Sequence, residues 1–318
     1  MHTKEDFYKV VQGILKTPPV IIWGSGATIP YDLPSMWTLN ESIKDKFDFY
    51  DSSALNLEEE LGKSKYEPYL DDIKDLIWDE VAVKDRLVLE EISKGQFEKY
   101  QGLKELAAKF IAPHPGLLNI ITTNYDRLLE YAFSYSGIDY TDGFNGRIFS
   151  KFDTKNFKEK GMVNLFKVHG SLNWFQIKDE AKFQSERIVE SKPLIICPGK
   201  SKFEQALTVP YRDILIKSDE AINKASAFLA IGFGFNDKHL TPKVISKVKD
   251  GAPIVVVTKE VTDTCKEELN SAREYVLIED AGNNQTRVTY KKNHPESYES
   301  ILEVEGDYWS LNEFLNII

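Results

Sequence analysis

The sequence has few cysteines and no grouping of residues typical of a metal site. Only Cys197 and Cys265 occur in 318 residues, and they do not form a Cys-x-x-Cys motif. A zinc site of four cysteines is therefore excluded, and the histidines are scattered without the spacing of metal ligands. We expect no metal cofactor, and thiols that stay reduced in the cytoplasm.

Long hydrophobic runs and an excess of positive charge are also missing. No apolar run approaches the roughly 18 residues of a membrane-spanning helix. The N-terminal segment has the spacing of an amphipathic helix rather than the uninterrupted apolar core of a secretion signal. With 40 basic and 50 acidic residues, we expect no membrane partner and no direct, non-specific binding to nucleic acid. The hydrophobic content of 42% indicates a globular protein.

Six short apolar runs, most of them rich in Val and Ile, alternate with helical patterns. Most runs are continuously apolar, as strands covered on both faces are. We therefore predict an α/β fold, a Rossmann-like parallel sheet with helices on both faces, in a single domain over 1–318. The runs are 20–23, 117–121, 164–168, 193–197, 227–231 and 253–257, and the helical patterns are 36–47, 128–133, 211–226, 239–249 and 260–270.

Other segments depart from this alternation. Residues from about 45 to 112 carry helical patterns without a clear strand, so we predict a helical insertion there. Residues 143–161 read as an irregular connection, 287–291 as an edge strand, and 306–318 as a loop followed by a closing helix.

Polar loops follow five of the predicted strands. In a parallel sheet such loops meet at the carboxyl edge, where ligands bind at the point at which strand order reverses. We therefore predict one shared pocket. The five loops read Gly-Ser-Gly-Ala-Thr (24–28), Thr-Thr-Asn-Tyr-Asp (122–126), His-Gly-Ser (169–171), Pro-Gly-Lys (198–200) and Gly-Phe-Gly-Phe-Asn-Asp (232–237).

Some of these loops and residues also have a plainer interpretation. The 24–28 loop suits a phosphate but also an ordinary strand-to-helix turn. Asp237 suits the N-terminal cap of the following helix, and Lys200 is a weak candidate for a phosphate contact. A lone histidine is commonly structural, as we expect for His114 and His239. His169, at a strand end on the edge that carries Asn124, is a better general base.

The order of these motifs resembles the sirtuin-like fold, over roughly residues 20 to 311. "LPSMWTL" (33–39) resembles the segment after the glycine loop in the bacterial branch, and Gly-Asp at 306–307 resembles a C-terminal loop near the adenine. The resemblance implies NAD as ligand and a catalytic pair, Asn124 and His169. It implies that the pyrophosphate lies on Gly24, Ser25, Gly26, Ala27 and Thr28, the nicotinamide on Tyr125 and Asp126, and the adenosine half on Gly232, Phe233 and Gly234.

The branch within this fold decides the expected reaction. Deacylase sirtuins carry a four-cysteine zinc module that this sequence lacks. "LFKVHGSLNWF" (165–175), "ICPGKSKF" (196–203) and "GFGFNDKHL" (232–240) look closer to bacterial anti-phage proteins that hydrolyse NAD, one group of which works with a HerA-type hexameric ATPase. The resemblance thus implies an NAD hydrolase with NAD as substrate. We expect a homo-oligomer or a HerA-type partner to gate it, because unrestrained NAD loss would harm the cell.

Three alternatives stay open. An NAD-dependent protein deacylase would use the same chemistry at the ribose. A non-catalytic module that binds NAD or ADP-ribose and assembles a complex would need the pocket alone. A nuclease would need metal-binding carboxylates or a basic groove, and neither is evident in the sequence.

Overall fold

A nine-stranded sheet forms the centre of the fold. The computed structural model describes residues 3–54, 57–188, 191–197, 207–292 and 299–318. Its strands are β1 (Val20–Trp23), β2 (Leu117–Thr122), β3 (Tyr140–Thr141), β4 (Met162–Lys167), β5 (Gly170–Ile177), β6 (Glu180–Phe183), β7 (Lys192–Ile195), β8 (Phe228–Ile231), β9 (Ile254–Val257), β10 (Tyr275–Gly282), β11 (Gln285–Lys291) and β12 (Ser300–Glu305). The main sheet has the order β12-β11-β10-β9-β8-β1-β2-β4-β3, and β6-β5-β7 form a second sheet.

Strand order reverses at β1. The strands β2, β4 and β3 lie on one side of β1, and β8 to β12 lie on the other side. β1 pairs in parallel with β2 on one side and with β8 on the other, so that Val20 lies opposite both Asn119 and Phe228. The strands from β10 to β3 are parallel to their neighbours, whereas β11 and β12 are antiparallel. The predicted parallel sheet is confirmed.

Helices cover both faces of this sheet. They are α1 (Lys4–Ile14), α2 (Met36–Lys46), α3 (Leu57–Leu61), α4 (Leu70–Ser93), α5 (Gln101–Ile111), α6 (Leu128–Tyr135), α7 (Tyr211–Lys224), α8 (Thr241–Lys249), α9 (Asp263–Leu269) and α10 (Leu311–Leu315). Ile21 and Trp23 of β1 join a core with α1, α5, α6 and α10. Val20 and Ile22 face the opposite core with α7, α8 and α9. This alternation follows from the two-residue period of a strand.

The helical patterns of the sequence appear as helices within a few residues of the predicted bounds. Helix α1 begins at a reciprocal cap in which the Thr3 hydroxyl accepts from the Asp6 amide and the Asp6 carboxylate accepts from the Thr3 amide, each over 3.1 Å. The closing helix is also confirmed, as α10. None of the helices in the described ranges is long and apolar enough to cross a membrane.

The segment 57–111 is helical, as predicted for the insertion. It holds α3, a 3₁₀ turn at Ser64–Tyr69, the long α4, and α5. Helix α4 packs against the second sheet, where Trp78 Nε1 donates to the Leu172 carbonyl over 3.2 Å. The assignment of the whole chain to one domain stays a prediction.

Two strand predictions were wrong in their placement. The run 193–197 contains most of β7, which pairs antiparallel with β5 in the second sheet and not with a strand of the main sheet. Pro193 fits this position, because β7 is an edge strand and a proline cannot donate to a strand ladder. Lys200 lies outside the described residues. The predicted edge strand 287–291 is β11, which lies inside the sheet between β10 and the true edge strand, β12.

Candidate functional site

A cavity of about 330 Å³ opens at the carboxyl edge of the main sheet, above the point where strand order reverses. The loops after β1, β2, β4, β8 and β9 surround it, and its size lies in the range of small-molecule sites. Eleven of the twelve site residues predicted from the sequence line it. They are Gly24, Ser25, Gly26, Thr28, Asn124, Tyr125, Asp126, His169, Gly232, Phe233 and Gly234.

Ala27 is the predicted site residue that does not line the cavity. Its side chain packs against the core between the sheet and helices α1, α5 and α6. The reason is the 3₁₀ turn at Ser25–Ala27, which directs successive side chains to different sides of the loop.

The glycines of the β1 and β8 loops allow these two loops to touch. Gly24 and Gly26 donate from their amides to the carbonyls of Ile231 and Gly232, each over 3.0 Å. A Cβ atom on Gly24 would lie 2.3 Å from the Gly232 oxygen, and one on Gly232 would lie 2.0 Å from the Ala27 nitrogen. Gly232 also has a φ of 58°, which favours glycine. The glycine pattern therefore serves the contact between the loops as well as any ligand.

Hydrogen bonds to the β8 side and within the loop occupy four of the five backbone amides of residues 24–28. The amides of Gly24 and Gly26 bond to the β8 side, and those of Ala27 and Thr28 bond within the loop. Among these five residues, all of which the structure describes, Ser25 keeps an amide without a protein acceptor. The backbone therefore offers an anion fewer donors here than the sequence motif suggests.

Asn124 carries an unsatisfied hydrogen-bond donor at the cavity. The Thr122 hydroxyl fixes its backbone by accepting from the Asn124 amide over 3.0 Å, while donating to the Trp23 carbonyl over 2.8 Å. The Asn124 side chain is 9% exposed, and its Nδ2 has no partner among the described residues. A buried polar atom without a partner costs about 1–3 kcal/mol. Such a cost is typical of a group that binds a ligand.

His169 faces the same cavity and contacts a carboxylate. It is 8% exposed, and its Nε2 lies 3.1 Å from Asp237 Oδ2, without the angular geometry of a hydrogen bond. The other oxygen of Asp237 accepts from the His239 and Leu240 amides over 3.0 and 2.7 Å. These bonds close the turn before α8, whose N-cap residue is Leu240 without a side-chain cap, so the predicted N-cap role of Asp237 was wrong.

Tyr125 and Asp126 are held by groups behind the cavity. The Tyr125 hydroxyl donates to the Ile196 carbonyl over 2.7 Å, and the buried Lys167 ammonium donates to the Asp126 carbonyl and pairs with Glu130 at 2.7 Å. Burial raises the pKa of the Asp126 carboxyl to about 6, and the positive charge of Lys167 opposes this shift. Burial likewise raises the pKa of Glu130 to about 7 against the same opposing charge.

Several lining residues were missed in the sequence. Thr258, Glu260 and Thr262 follow β9, and the rule that identified the other loops at the carboxyl edge also applied to "TKEVT" (258–262). The apolar wall includes Met36 of α2 and Val81 of α4. No local signal marks Val81, because its place in the wall depends on how the insertion packs.

Comparison with models of known protein families identifies the family to which this chain belongs. The model of the SIR2-like domain matches residues 118–288, a range that contains Asn124, His169 and the loop after β8. No curated protein matches the sequence significantly.

Solved structures of similar overall shape have low sequence identity. A Sir2 homologue in complex with 2′-O-acetyl ADP-ribose has a TM-score of 0.49 and 13% identity, over 86% of this chain and 90% of that chain. A Sir2 homologue in complex with NAD has a TM-score of 0.47 and 15% identity, over 87% and 88%. A further Sir2 enzyme has a TM-score of 0.46 and 14% identity, over 84% and 90%.

Proposed function

Because this chain belongs to the SIR2-like domain family, we propose that it is an NAD glycohydrolase that releases nicotinamide and ADP-ribose. The observation that carries the proposal is the shared position of Asn124 and His169. They follow two different strands and line one cavity, beside the glycine loops of β1 and β8. Asn124 brings a buried donor that has no partner among the described residues, and His169 brings an imidazole that can act as a general base.

The reaction suits these two residues. Nicotinamide leaves NAD as a neutral molecule when the bond from the pyridine nitrogen to ribose C1′ breaks, because the bond electrons neutralise the ring cation. No general acid is needed, unlike in an ordinary glycosidase with its paired carboxyl groups. Asn124 orients the ribose hydroxyls and the attacking water, since an amide both donates and accepts. His169 takes the proton from that water as its oxygen bonds to C1′.

The remaining residues of the cavity suit the rest of the dinucleotide. We assign the nicotinamide carboxamide to Asp126 and Tyr125, the pyrophosphate to the 24–28 loop, and the adenosine half to the 232–234 loop. Glu260, in the loop after β9, has a carboxylate of the kind that commonly binds ribose hydroxyls in dinucleotide sites. The ligand would then run across the sheet from β4 to β9.

The small number of cysteines and their burial favour NAD hydrolysis over protein deacylation. Two cysteines cannot build a zinc module of four. Both thiols are buried, and burial raises the pKa of each to about 12, so neither is a ready thiolate ligand.

The direct test is incubation of the purified chain with NAD and no peptide, with nicotinamide and ADP-ribose measured. We expect both products from the wild type and about 10²–10⁴-fold less from His169→Ala. A strict need for an acyl-lysine peptide would support the deacylase instead. Tight binding of ADP-ribose without turnover under any condition would support a non-catalytic module. Full turnover by a folded His169→Ala variant would remove His169 from the mechanism.

We further propose that the activity depletes cytoplasmic NAD in defence against phage, and that a homo-oligomer or a HerA-type hexameric ATPase gates it. The test compares NAD loss by the chain alone with NAD loss after the products of neighbouring genes are added. Equal rates across all mixtures and protein concentrations would contradict the gating.

A further inference from the structure

A buried carboxylate on helix α4 contacts the loop that carries Asn124. The side chain of Asp85 is 0% exposed. Its Oδ1 accepts from the backbone amide of Arg127 over 2.6 Å. Its Oδ2 accepts from Arg127 Nε over 2.9 Å, from Arg127 Nη2 over 2.6 Å and from the Tyr131 hydroxyl over 2.7 Å. All four donors lie just after the Asn124–Asp126 segment in the chain.

These bonds are strong enough to define a position. An isolated buried carboxylate is costly, so it persists only where charged partners and hydrogen bonds compensate it. Nε and Nη2 of the Arg127 guanidinium both donate to Oδ2, and such charge-assisted bonds are stronger than neutral ones. Arg127 is fixed further by donation from Nη1 to the Ser185 carbonyl over 3.0 Å. These hydrogen bonds therefore fix the position of the Arg127 backbone amide relative to α4.

Helix α4 also shapes the cavity directly. Val81, which lines the cavity, precedes Asp85 by four residues and shares its face of the helix. The same helical face thus sets one wall of the cavity and holds the end of the loop that presents Asn124.

We propose that Asp85 is a positioning residue for NAD hydrolysis, which acts through Arg127 to hold Asn124 and Tyr125 in their reactive place. The kinetic part of this inference rests on the proposed function. Asp85 does not line the cavity and does not touch the substrate site, and its effect passes through the loop.

Asp85→Asn is the sharpest test. Asparagine keeps one oxygen and replaces the other by an NH₂ group, which cannot accept. If NH₂ replaces Oδ2, three donors lose their acceptor; if it replaces Oδ1, the Arg127 backbone amide loses its acceptor. We expect kcat for NAD to fall about 10- to 100-fold, because small misplacements of a catalytic group cost that much. KM should change much less, and hydrogen–deuterium exchange should rise in 122–131 but not in 254–278.

The matched control is Asp79→Asn on the same helix. The Asp79 side chain is 65% exposed and lies 3.7 Å from Arg187, so the same change of charge should leave kcat and exchange unchanged. If Asp85→Asn fails to fold, Tyr131→Phe removes a single donor and should give a smaller change in the same direction.

The outcomes separate the two proposals. A wild type that never hydrolyses NAD defeats the proposed function, and exchange in 122–131 then decides whether Asp85 holds the loop. A merely structural Asp85 would lower the folded fraction without changing kcat per folded molecule. Wild-type kcat and wild-type exchange in a folded Asp85→Asn or Tyr131→Phe variant would overturn the inference.

Discussion

At the scale of single residues, the site is marked by a polar group that the fold leaves unpaired. Two other buried asparagines are fully used: Asn164 bonds to Asn119 and to the backbone of Lys158, and Asn40 bonds to Ala54 and Tyr50. Asn124 Nδ2 has no such partner among the described residues. A fold selected only for stability would fill or replace such a donor. Asn173 Oδ1 also lacks a partner among the described residues, so the evidence for a role of Asn124 is the combination of its unpaired donor with its place on the cavity.

This contrast predicts opposite effects on stability and activity. Asn124→Ala should leave the free energy of unfolding unchanged or raise it by about 1 kcal/mol, because the lost donor bonds to none of the described residues. NAD hydrolysis should nearly vanish in the same variant. Urea unfolding and nicotinamide release measure the two effects.

Asn164→Ala is the matched control for Asn124→Ala. It breaks bonds of 2.8–3.0 Å and should lower the free energy of unfolding by about 1–3 kcal/mol. A large loss of stability in Asn124→Ala would show that Asn124 is structural.

At the scale of elements, the glycine loops after β1 and β8 form one unit. Their amides and carbonyls bond across the gap between them, and the Cβ of any larger residue would enter that gap. The sequence motif suggested glycines that make room for a phosphate. In the structure, much of that room is taken by the neighbouring loop. The reason is the adjacency of β1 and β8, which are separated by some two hundred residues in the chain but hydrogen-bonded in the sheet.

Gly232→Ala should therefore destabilise the protein itself. The new Cβ would meet Ala27 N at 2.0 Å, at a φ of 58° that alanine rarely adopts. We expect a loss of at least about 1–3 kcal/mol from strain and displacement, measured by thermal or urea unfolding.

Gly13→Ala provides the control for Gly232→Ala. No atom lies within 4 Å of its would-be Cβ, and Gly13 lies in α1, so alanine should stabilise by about 0.5–1 kcal/mol. Equal stability of the two variants would contradict the close contact of the loops.

At the scale of the whole molecule, two buried carboxyl groups, Asp126 at the cavity and Glu130 behind it, make the stability depend on pH. Burial raises the pKa of Asp126 from 3.8 to about 6 and that of Glu130 from 4.5 to about 7. Between the unfolded and folded values, the folded state binds more protons than the unfolded state. The free energy of unfolding contributed by these groups therefore falls as pH rises through this window, and it levels off above about pH 7.

Asp126→Asn should flatten the decline between about pH 4 and 6. Each pKa unit corresponds to about 1.4 kcal/mol. Over that range, the free energy of unfolding of the wild type should therefore fall by a few kcal/mol more than that of the variant. Urea unfolding at several pH values measures it. A variant that declines as steeply as the wild type would show that Asp126 titrates normally.

The sequence by itself determined the alternation of strands and helices, because residues that face an apolar core must repeat at the period of their element. It also identified four of the five loops that surround the cavity, since parallel strands end on the same side. Thus Asn124 and His169 could be placed together, and the helical segment around α4 could be recognised.

Only the tertiary structure decided the contacts between segments distant in the chain. Strand pairing decided that β7 belongs to the second sheet and that β12 is the edge strand of the main sheet. The packing of α4 decided that Val81 lines the cavity and that Asp85 bonds to Arg127. Neither contact leaves a local pattern, because side-chain pairing across helices depends on how helices pack and not on their periodicity. The sequence therefore predicted where the site lies, and the packing determined what holds it in place.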